Sequence, residues 1–276
     1  MTENEQIQIK FRIGRTFTPS APIDDATLFA GRRSQITKLV NAVTQRGQHA
    51  VLFGERGVGK TSLANVIKSF IGNSGSPFIV VSTNCETQTT FQSIWTNILN
   101  DIAFTQTKIG VGFNPPQHTE VSHIGAMLST DASPEEIRSI LQRLGVPSII
   151  VIDEIDRVRD PATKTRLADT IKTLSDHVVD ATLVLVGVAD SLDQLISEHR
   201  SIERALVQIQ MPRMSKGELE EIINKGLTAL GMAIEGNAKN RIAALSHRLP
   251  HYTHTMALHA AQAADEQSAM TIGEAH

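Results

Sequence analysis

A glycine-rich loop at residues 54–61 constrains this chain more than any other feature of its sequence. It reads Gly-Glu-Arg-Gly-Val-Gly-Lys-Thr, follows the apolar run at residues 50–53, and precedes a helix-like stretch at residues 62–71. Its three glycines allow a sharp turn in which backbone N–H groups converge on a phosphate, because no Cβ blocks the approach. The pattern therefore predicts a strand, a phosphate-binding loop and a helix, in that order.

Individual loop residues have the chemistry that a nucleoside triphosphate requires. Lys60 is placed to reach the β- and γ-phosphates, and the hydroxyl of Thr61 can coordinate magnesium. The positive end of the following helix dipole adds to the attraction. We therefore expect the bound nucleotide to be contacted by the whole segment: Gly54, Glu55, Arg56, Gly57, Val58, Gly59, Lys60, Thr61 and Ser62.

The composition narrows the class of protein. A chain of 276 residues that is 41% hydrophobic can bury a proper core. The net charge of −3 gives no overall attraction to nucleic acid, although a local basic patch would not show in a sum, so DNA binding is neither supported nor excluded. The polar N-terminus resembles no secretion signal, and no apolar run approaches the ~18 residues of a membrane span. With a single cysteine, Cys85, expected to be buried, the chain is predicted to be cytoplasmic, with no membrane contact.

Three segments are predicted along the chain. Residues 1–26 form an N-terminal arm, in which residues 7–13 alternate apolar and polar as in a half-buried strand. Residues 27–212 alternate short apolar runs with helical patterns, which is typical of a parallel sheet covered by helices. Residues 213–276 show helical patterns only and form a small lid. Because residues 271–274 read as a helix start with no helix after it, we expect the natural chain to continue.

Helix starts inside these segments are marked by capping residues. Ser133, Asp160 and Ser215 each precede a proline or a glutamate at the spacing of an N-cap. Residues 104–132 lack such patterning and are too long for an ordinary connection, so they are either a functional or a mobile loop. This segment and the C-terminal region are where a protein partner would dock.

A pair of acids forms the second half of the expected site. Residues 149–152 are an apolar strand, and Asp153 and Glu154 follow it directly. At the carboxyl end of a parallel strand, Asp153 can hold magnesium through its coordinated water, and Glu154 can accept a proton from an attacking water. Two acids that merely cap the next turn are the alternative, which the phosphate loop makes the weaker one.

Together these residues resemble the AAA+ ATPases. The resemblance rests on the phosphate loop, on the acid pair, on the box Phe29-Ala30-Gly31-Arg32 and on the helical tail. It covers about residues 25–270 and is closest to the branch that includes origin-recognition ATPases, bacterial transposition-helper ATPases and the STAND signalling NTPases. It implies an α/β fold with a parallel five-stranded sheet in the order 5-1-4-3-2, flanked by helices, and a C-terminal all-helical lid. It also places Phe29, Gly31 and Arg32 near the adenine of ATP.

The resemblance further implies an arginine supplied by a neighbouring subunit, and hence a homo-oligomer built through its nucleotide sites. Arg204 is the first candidate and Arg200 the second, because both lie just before the last predicted strand. Such an arginine stabilises the charge on the transferred phosphate and can supply ~10³–10⁵ in rate. Surface arginines on a short solvated helix are the alternative.

Two departures from the family pattern predict slow hydrolysis. After the strand at residues 183–189, where the family has a polar residue that orients water, only Asp190 or Ser191 could serve. Where the family lid often has an arginine, this chain offers His251 or Arg248. A histidine with an ordinary pKa near 6.5 is mostly neutral and senses phosphate weakly.

Four histidines recur in the lid: His247, His251, His254 and His259. Pro250 interrupts the helix within the set, which argues against three or four converging metal ligands. A nucleotide-facing role for one of them, His251, and plain packing for the rest are the remaining interpretations.

Two functions stay open from the sequence. The first is an AAA+ ATPase that binds ATP and Mg²⁺, hydrolyses ATP slowly, and couples nucleotide state to self-assembly or to partner binding. The second is a STAND-like signalling or scaffold module that is gated by nucleotide and hydrolyses it very little. A bacterial defence or mobile-element context would suit either one.

Overall fold

The computed structural model describes residues 3–72, 78–109, 117–123, 125, 128–188 and 200–274. The chain divides into two compact units. The first comprises Met1–Val40, Phe53–Ser74 and Gln210–His276, and the second comprises Asn41–Leu52 and Gly75–Ile209. The segment boundaries predicted after residues 26 and 212 stay predictions. Within the described ranges, no helix has both the length and the apolar character to cross a membrane.

The described strands and helices alternate along most of the chain. The strands are β1 (His49–Phe53), β2 (Ile79–Asn84), β3 (Ala103–Ile109), β4 (Gln117–His123), β5 (Ser148–Asp153), β6 (Ala181–Gly187), β7 (Leu206–Gln210), β8 (Ala233–Ile234) and β9 (Thr271–Ile272). The helices are α1 (Glu3–Thr16), α2 (Arg33–Thr44), α3 (Lys60–Gly72), α4 (Phe91–Asp101), α5 (Pro134–Arg143), α6 (Pro161–Asp176), α7 (Lys216–Leu230), α8 (Gly236–Leu245) and α9 (Pro250–Glu266).

A five-stranded parallel sheet with the order β2-β5-β6-β1-β7 is the main sheet. Apart from Phe53 and Gln210, its strands belong to the second unit. In β2 and β5, Val80 lies opposite Ile149, and in β5 and β6, Val151 lies opposite Val184. β5 and β6 are buried along their whole length, as strands covered on both faces must be. Counting only the strands of this sheet, the order is the predicted 5-1-4-3-2, so the predicted fold is confirmed.

The helices of the second unit begin where the sequence predicted. Ser133 caps α5 by accepting a hydrogen bond from the Glu136 amide, and Asp160 caps α6 by accepting from two amides. In α4, Trp95 is fully buried and packs edge-on against Phe91, at 6.2 Å between ring centroids. These contacts bury one face of each helix.

The weakly patterned segment at residues 104–132 contains a β-hairpin rather than only a loop. β3 and β4 pair antiparallel, from Ala103 opposite His123 to Ile109 opposite Gln117. The expectation of an irregular loop was wrong because strand pairing between partners that are both polar leaves little hydrophobic alternation to read. The docking role assigned to this segment stays a prediction.

The N-terminal segment is a helix, where the sequence pattern predicted a strand. Ile13 in α1 and Phe17 just after it are fully buried, whereas Ile7 and Phe11 are 57% and 60% exposed. Ile9 is partly buried in the same cluster as Ile13 and Phe17. A recurrence every four residues places these three on one helical face, so the strand assignment is wrong.

The C-terminal helices form the core of the first unit together with α1. Ser215 and Glu218 make the predicted capping box at the start of α7, with both reciprocal hydrogen bonds present. Ile223 and Leu227 of α7 and Ala257 and Ala261 of α9 are buried in one cluster with Ile13 of α1. The helix start predicted at residues 271–274 is wrong, because β9 pairs there in parallel with β8.

Candidate functional site

A cavity of about 270 Å³ lies in the first unit, next to the phosphate loop. Three parts of the chain line it: the connector and box (residues 18–23, 28–30 and 32), the loop and the start of α3 (residues 57–62), and the C-terminal helical region (Met214, Ile222, Pro250, His251 and His254). The wall thus has the amine of Lys60 and the hydroxyls of residues 61 and 62 at the loop, and it has apolar side chains such as Phe29 and Ile222 among polar ones elsewhere. Such a wall suits a ligand with a charged end and a flat apolar end.

The loop has the backbone that an anion site requires. Gly57 and Gly59 have φ angles of 79° and 92°, which only glycine adopts readily. Gly54 must also be glycine, because a Cβ there would overlap the carbonyl oxygen of Met211. α3 starts at Lys60, so the loop leads its amides into the positive end of a helix. This arrangement fits a phosphate group.

Side chains complete the loop. The Lys60 Nζ donates to the carbonyl oxygens of Gly54 at 2.9 Å and Glu55 at 2.8 Å, which holds the amine close to the loop. Thr61 and Ser62 line the cavity. The Ser62 hydroxyl accepts a hydrogen bond of 3.1 Å from the amide of Ile23 in the connector. The connector is therefore tied directly to the start of α3.

Four residues of the predicted nucleotide-binding set do not line the cavity. The exposed Glu55 carboxylate accepts from Arg213 at 2.8 Å, and this hydrogen bond lowers the pKa of Glu55. Arg213 also donates to the carbonyl of His247 at 3.4 Å, so it joins the loop to the C-terminal region. Arg56 is exposed. Gly54, Glu55, Arg56 and Gly31 are not among the described residues that line the cavity.

The box at residues 29–32 contacts both the cavity and the loop. Phe29 is 8% exposed and lines the cavity. Arg32 is 2% exposed, and its Nη2 donates to the Val58 carbonyl at 2.8 Å. Burial lowers the pKa of Arg32, and the nearby charge of Glu218 opposes that shift. Even so, a guanidinium stays protonated in a protein, so Arg32 places a buried cation behind the loop.

Two histidines belong to the cavity wall. His251 holds its Nδ1 2.8 Å from the carbonyl oxygen of Pro19, so this nitrogen carries the proton and donates it. His254 is 7% exposed, and burial, with a smaller contribution from His251, lowers its pKa to about 4. The His254 imidazole is therefore neutral at pH 7. In the described part of the chain, no three histidine, cysteine or acidic residues are grouped so that they could hold a metal ion.

The acid pair lies in the second unit, at the end of β5. Asp153 is 5% exposed, and one of its oxygens accepts from the Glu154 amide at 2.7 Å. Glu154 has a φ of 54°, and its exposed carboxylate pairs with Arg157 at 2.8 Å. Cys85 is fully buried, and burial, followed by the charges of Asp153, Glu154 and Asp156, raises its pKa to about 12. The predicted buried thiol is confirmed.

The arginine candidates lie in the turn before β7. Arg204 is 84% exposed at its side chain and lies 3.6 Å from the Asp176 carboxylate. Arg200 is the first residue of the same 3-10 turn. Arg248, the alternative to His251, donates from Nε to the Met214 carbonyl at 3.0 Å. Asp190 and Ser191 lie outside the described residues.

Sequence reasoning missed most of the cavity wall outside the loop. From the sequence, residues 18–23 are predicted only to be part of the N-terminal arm, and Glu218 is only the glutamate that follows the Ser215 cap. Pro19 and Pro22, placed three positions apart in this segment, are the sequence signal of a rigid wall. No local signal could have shown that Glu218 contacts Arg32, since the two lie 186 positions apart.

The sheet order, with a phosphate loop after β1 and two acids at the end of β5, defines a P-loop NTPase with the AAA+ fold. Within that class, the chain belongs to the family described as Novel STAND NTPase 1, which matches residues 19–271. No curated protein matches the sequence.

Solved structures share the fold at low sequence identity. The Orc1 protein of Aeropyrum pernix, solved in complex with DNA, is 17% identical with a TM-score of 0.63, over 93% of this chain and 65% of that one. The RuvB Holliday junction branch migration motor of Thermotoga maritima is 20% identical with a TM-score of 0.54, over 88% and 66%. A Walker-type ATPase of Pyrococcus abyssi is 15% identical with a TM-score of 0.55, over 92% and 75%. The chain thus spans slightly less than two thirds of Orc1 and RuvB.

Proposed function

We propose that this chain binds ATP with Mg²⁺ in the cavity, hydrolyses ATP slowly, and couples its nucleotide state to self-assembly or to partner binding. The composition of the cavity wall is the observation that supports this most strongly. A ligand in the cavity contacts the connector, the phosphate loop and the C-terminal helices at once. Its affinity then depends on how these parts are arranged, and by linkage the ligand favours the arrangement that binds it best.

Each part of the nucleotide has a proposed contact. Amides of residues 57–60 and the Lys60 amine bind the phosphates, and Phe29, the connector and Ile222 enclose the base. Thr61 is the proposed magnesium ligand at the loop, since the ion prefers oxygen ligands, and Asp153 keeps the magnesium role that the sequence predicts for it. When bound, the ion neutralises charge on the phosphate oxygens. His251 lies at the wall as a hydrogen-bonding group.

Slow turnover is proposed because Arg157 pairs with the carboxylate of the general base, Glu154. Glu154 accepts the proton of the attacking water, and its carboxylate is paired with Arg157. An exposed pair of this kind is worth about 0–1 kcal/mol, so the water competes with Arg157 for the Glu154 carboxylate at a small cost. Arg204, or else Arg200, is proposed to act on the nucleotide of a neighbouring subunit.

A signalling or scaffold module with little hydrolysis is the second candidate function. The match to a STAND NTPase family over residues 19–271 favours it. Orc1 was solved with DNA, whereas the net charge of −3 neither supports nor excludes nucleic acid as a partner of this chain.

Steady-state ATPase assays test both candidates. We expect turnover per subunit to rise with protein concentration and to fall at least ~100-fold in Glu154→Gln, the scale of a lost general base. Arg204→Ala should also be slow, whereas Arg46→Ala, which removes an exposed arginine that pairs with Asp180 much as Arg204 pairs with Asp176, should match wild type. Concentration-independent turnover with an active Arg204→Ala would rule out the arginine in trans.

Sedimentation tests whether nucleotide state is coupled to self-assembly, separately from ATP hydrolysis. Wild type is run with ADP and with a non-hydrolysable ATP analogue at equal concentration. Different assembly states with negligible turnover would favour the signalling module, and different states with turnover would favour the ATPase. Identical profiles would contradict coupling to self-assembly.

A further inference from the structure

One face of α7 holds the box at residues 29–32. Glu218, Ile222 and Lys225 recur at spacings of four and three and so share that face. The Lys225 Nζ donates to the Phe29 carbonyl at 2.6 Å, and the Oε1 of Glu218 accepts from the Arg32 amide at 3.0 Å. Between them, Ile222 packs in a buried cluster with Ala30. α7 is therefore hydrogen-bonded to both ends of the box.

The box in turn contacts the phosphate loop through Arg32. Its guanidinium donates to the Val58 carbonyl at 2.8 Å, and Val58 lies between the two glycines that shape the loop. Arg32 has a φ of 60°, which is unfavourable for a residue with a side chain, so contacts from outside must hold it. Gly31 packs against Glu218 so closely that a Cβ there would lie 2.8 Å from its Cγ. The turn is thus built around this carboxylate.

Glu218 divides its two oxygens between separate tasks. Oε2 accepts from the Ser215 amide at 2.8 Å and from the Ser215 hydroxyl at 2.9 Å, which completes the capping box of α7. A capping box requires one oxygen, whereas Oε1 is used for Arg32. Burial raises the pKa of Glu218, but hydrogen bonds from Arg32 and Ser215 outweigh burial and leave its pKa below the ordinary value. The carboxylate is therefore charged at neutral pH.

We propose that Glu218 is a positioning residue for nucleotide binding, which acts from α7 through Arg32 on the carbonyl of Val58 and so sets the shape of the phosphate loop. The inference rests on the proposed function of the cavity. A movement of α7 that releases the Arg32 amide loosens the loop and lowers nucleotide affinity. By reciprocity, a bound triphosphate holds α7 in place. The lid and the loop are thereby coupled without any contact between Glu218 and the nucleotide.

Calorimetric titration with Mg·ATP tests this with a matched set of variants. Glu218→Ala should raise Kd about tenfold or more, the scale of one lost hydrogen bond to a charged group. Glu218→Gln, which keeps an acceptor oxygen, should recover most of that affinity. Ser215→Ala removes the cap but leaves Oε1 and Arg32 in place, so it should lower Tm as Glu218→Ala does while Kd stays within about twofold of wild type.

Amide hydrogen exchange of residues 57–60 in the nucleotide-free protein supplies a second measurement. Exchange should quicken in Glu218→Ala and stay unchanged in Ser215→Ala. The proposal would be overturned if wild type and Glu218→Ala had equal Kd values. It would also be overturned if Ser215→Ala lost as much nucleotide affinity as Glu218→Ala. If wild type itself bound no nucleotide, the proposed function would fail, and the exchange rates would still decide whether Glu218 shapes the loop.

Discussion

Phe17 lies directly against Gly226, so that a Cβ on this glycine would overlap the Cε1 and Cζ atoms of the ring. Gly226 is inside α7, where glycine is otherwise unfavourable. The missing side chain creates the space in which Phe17 is buried, to 1% exposure. Phe17, just after α1, thus adds to the contacts by which the N-terminal helix packs against the C-terminal helices.

Gly226→Ala should therefore destabilise the protein by about 1–3 kcal/mol, because overpacking the notch outweighs the gain in helix propensity of about 1 kcal/mol. Gly217→Ala is the matched control. It lies in the same helix with open space around it, and should be neutral or slightly stabilising. Urea unfolding of both variants measures the difference, and equal free energies of unfolding would show that Phe17 does not occupy the notch.

Arg32→Met should weaken nucleotide binding about tenfold, because the Val58 carbonyl loses its charged donor. The free energy of unfolding should change by less than the free energy of nucleotide binding does. A buried cation is costly, and Met fills a similar volume. The neighbouring Arg33 is exposed, and Arg33→Met removes the same charge. Titration with Mg·ATP should show normal affinity for Arg33→Met, and a normal Kd for Arg32→Met would remove the role assigned to its guanidinium.

Stability should fall as the pH falls from 6.5 towards 4. Burial lowers the pKa of His49 and of His254 to about 4, against about 6.5 for an ordinary histidine. The unfolded chain thus binds more protons in this window, which favours unfolding as the medium becomes acidic. Each histidine should lower the free energy of unfolding by about 2 kcal/mol between pH 7 and pH 5. This loss of stability should end below about pH 4.

The contribution of His49 can be isolated by mutation. Its Nδ1 accepts from the Leu183 amide at 2.9 Å, a contact that a protonated ring cannot make. His49→Asn should flatten the pH dependence of urea unfolding. An unchanged slope in His49→Asn would contradict the lowered pKa of His49.

Cys85 should be inert in the folded protein. Its pKa of about 12 leaves almost no thiolate at pH 8, and the sulfur is buried. Reaction with a thiol-specific reagent should be at least ~100-fold slower than in the same chain unfolded in urea. A rapid reaction under native conditions would show that the region beside Asp153 opens readily.

The sequence was sufficient where the signal was local. The phosphate loop, the acid pair and the caps at Ser133, Asp160 and Ser215 are short patterns whose physical causes lie within a few residues. The sheet order came from resemblance rather than from any local pattern, and the structure confirms it.

Prediction from the sequence failed where contacts with residues distant in the sequence determine the local structure. In α1, burial of Ile9, Ile13 and Phe17 against the C-terminal helices selects a helix, although alternation at residues 7–13 fits a strand equally well. β9 exists because it pairs with β8, which is distant in sequence. Glu218 has a complete local role as a cap, so nothing nearby indicates its second contact.

Calorimetric titration of wild type and of Lys60→Ala with Mg·ATP measures nucleotide binding most directly. We expect saturable one-to-one binding in wild type and a Kd at least about tenfold higher in Lys60→Ala, because the amine beside the loop is lost. No saturable heat in wild type, or equal Kd values for the two proteins, would contradict a nucleotide site in this cavity.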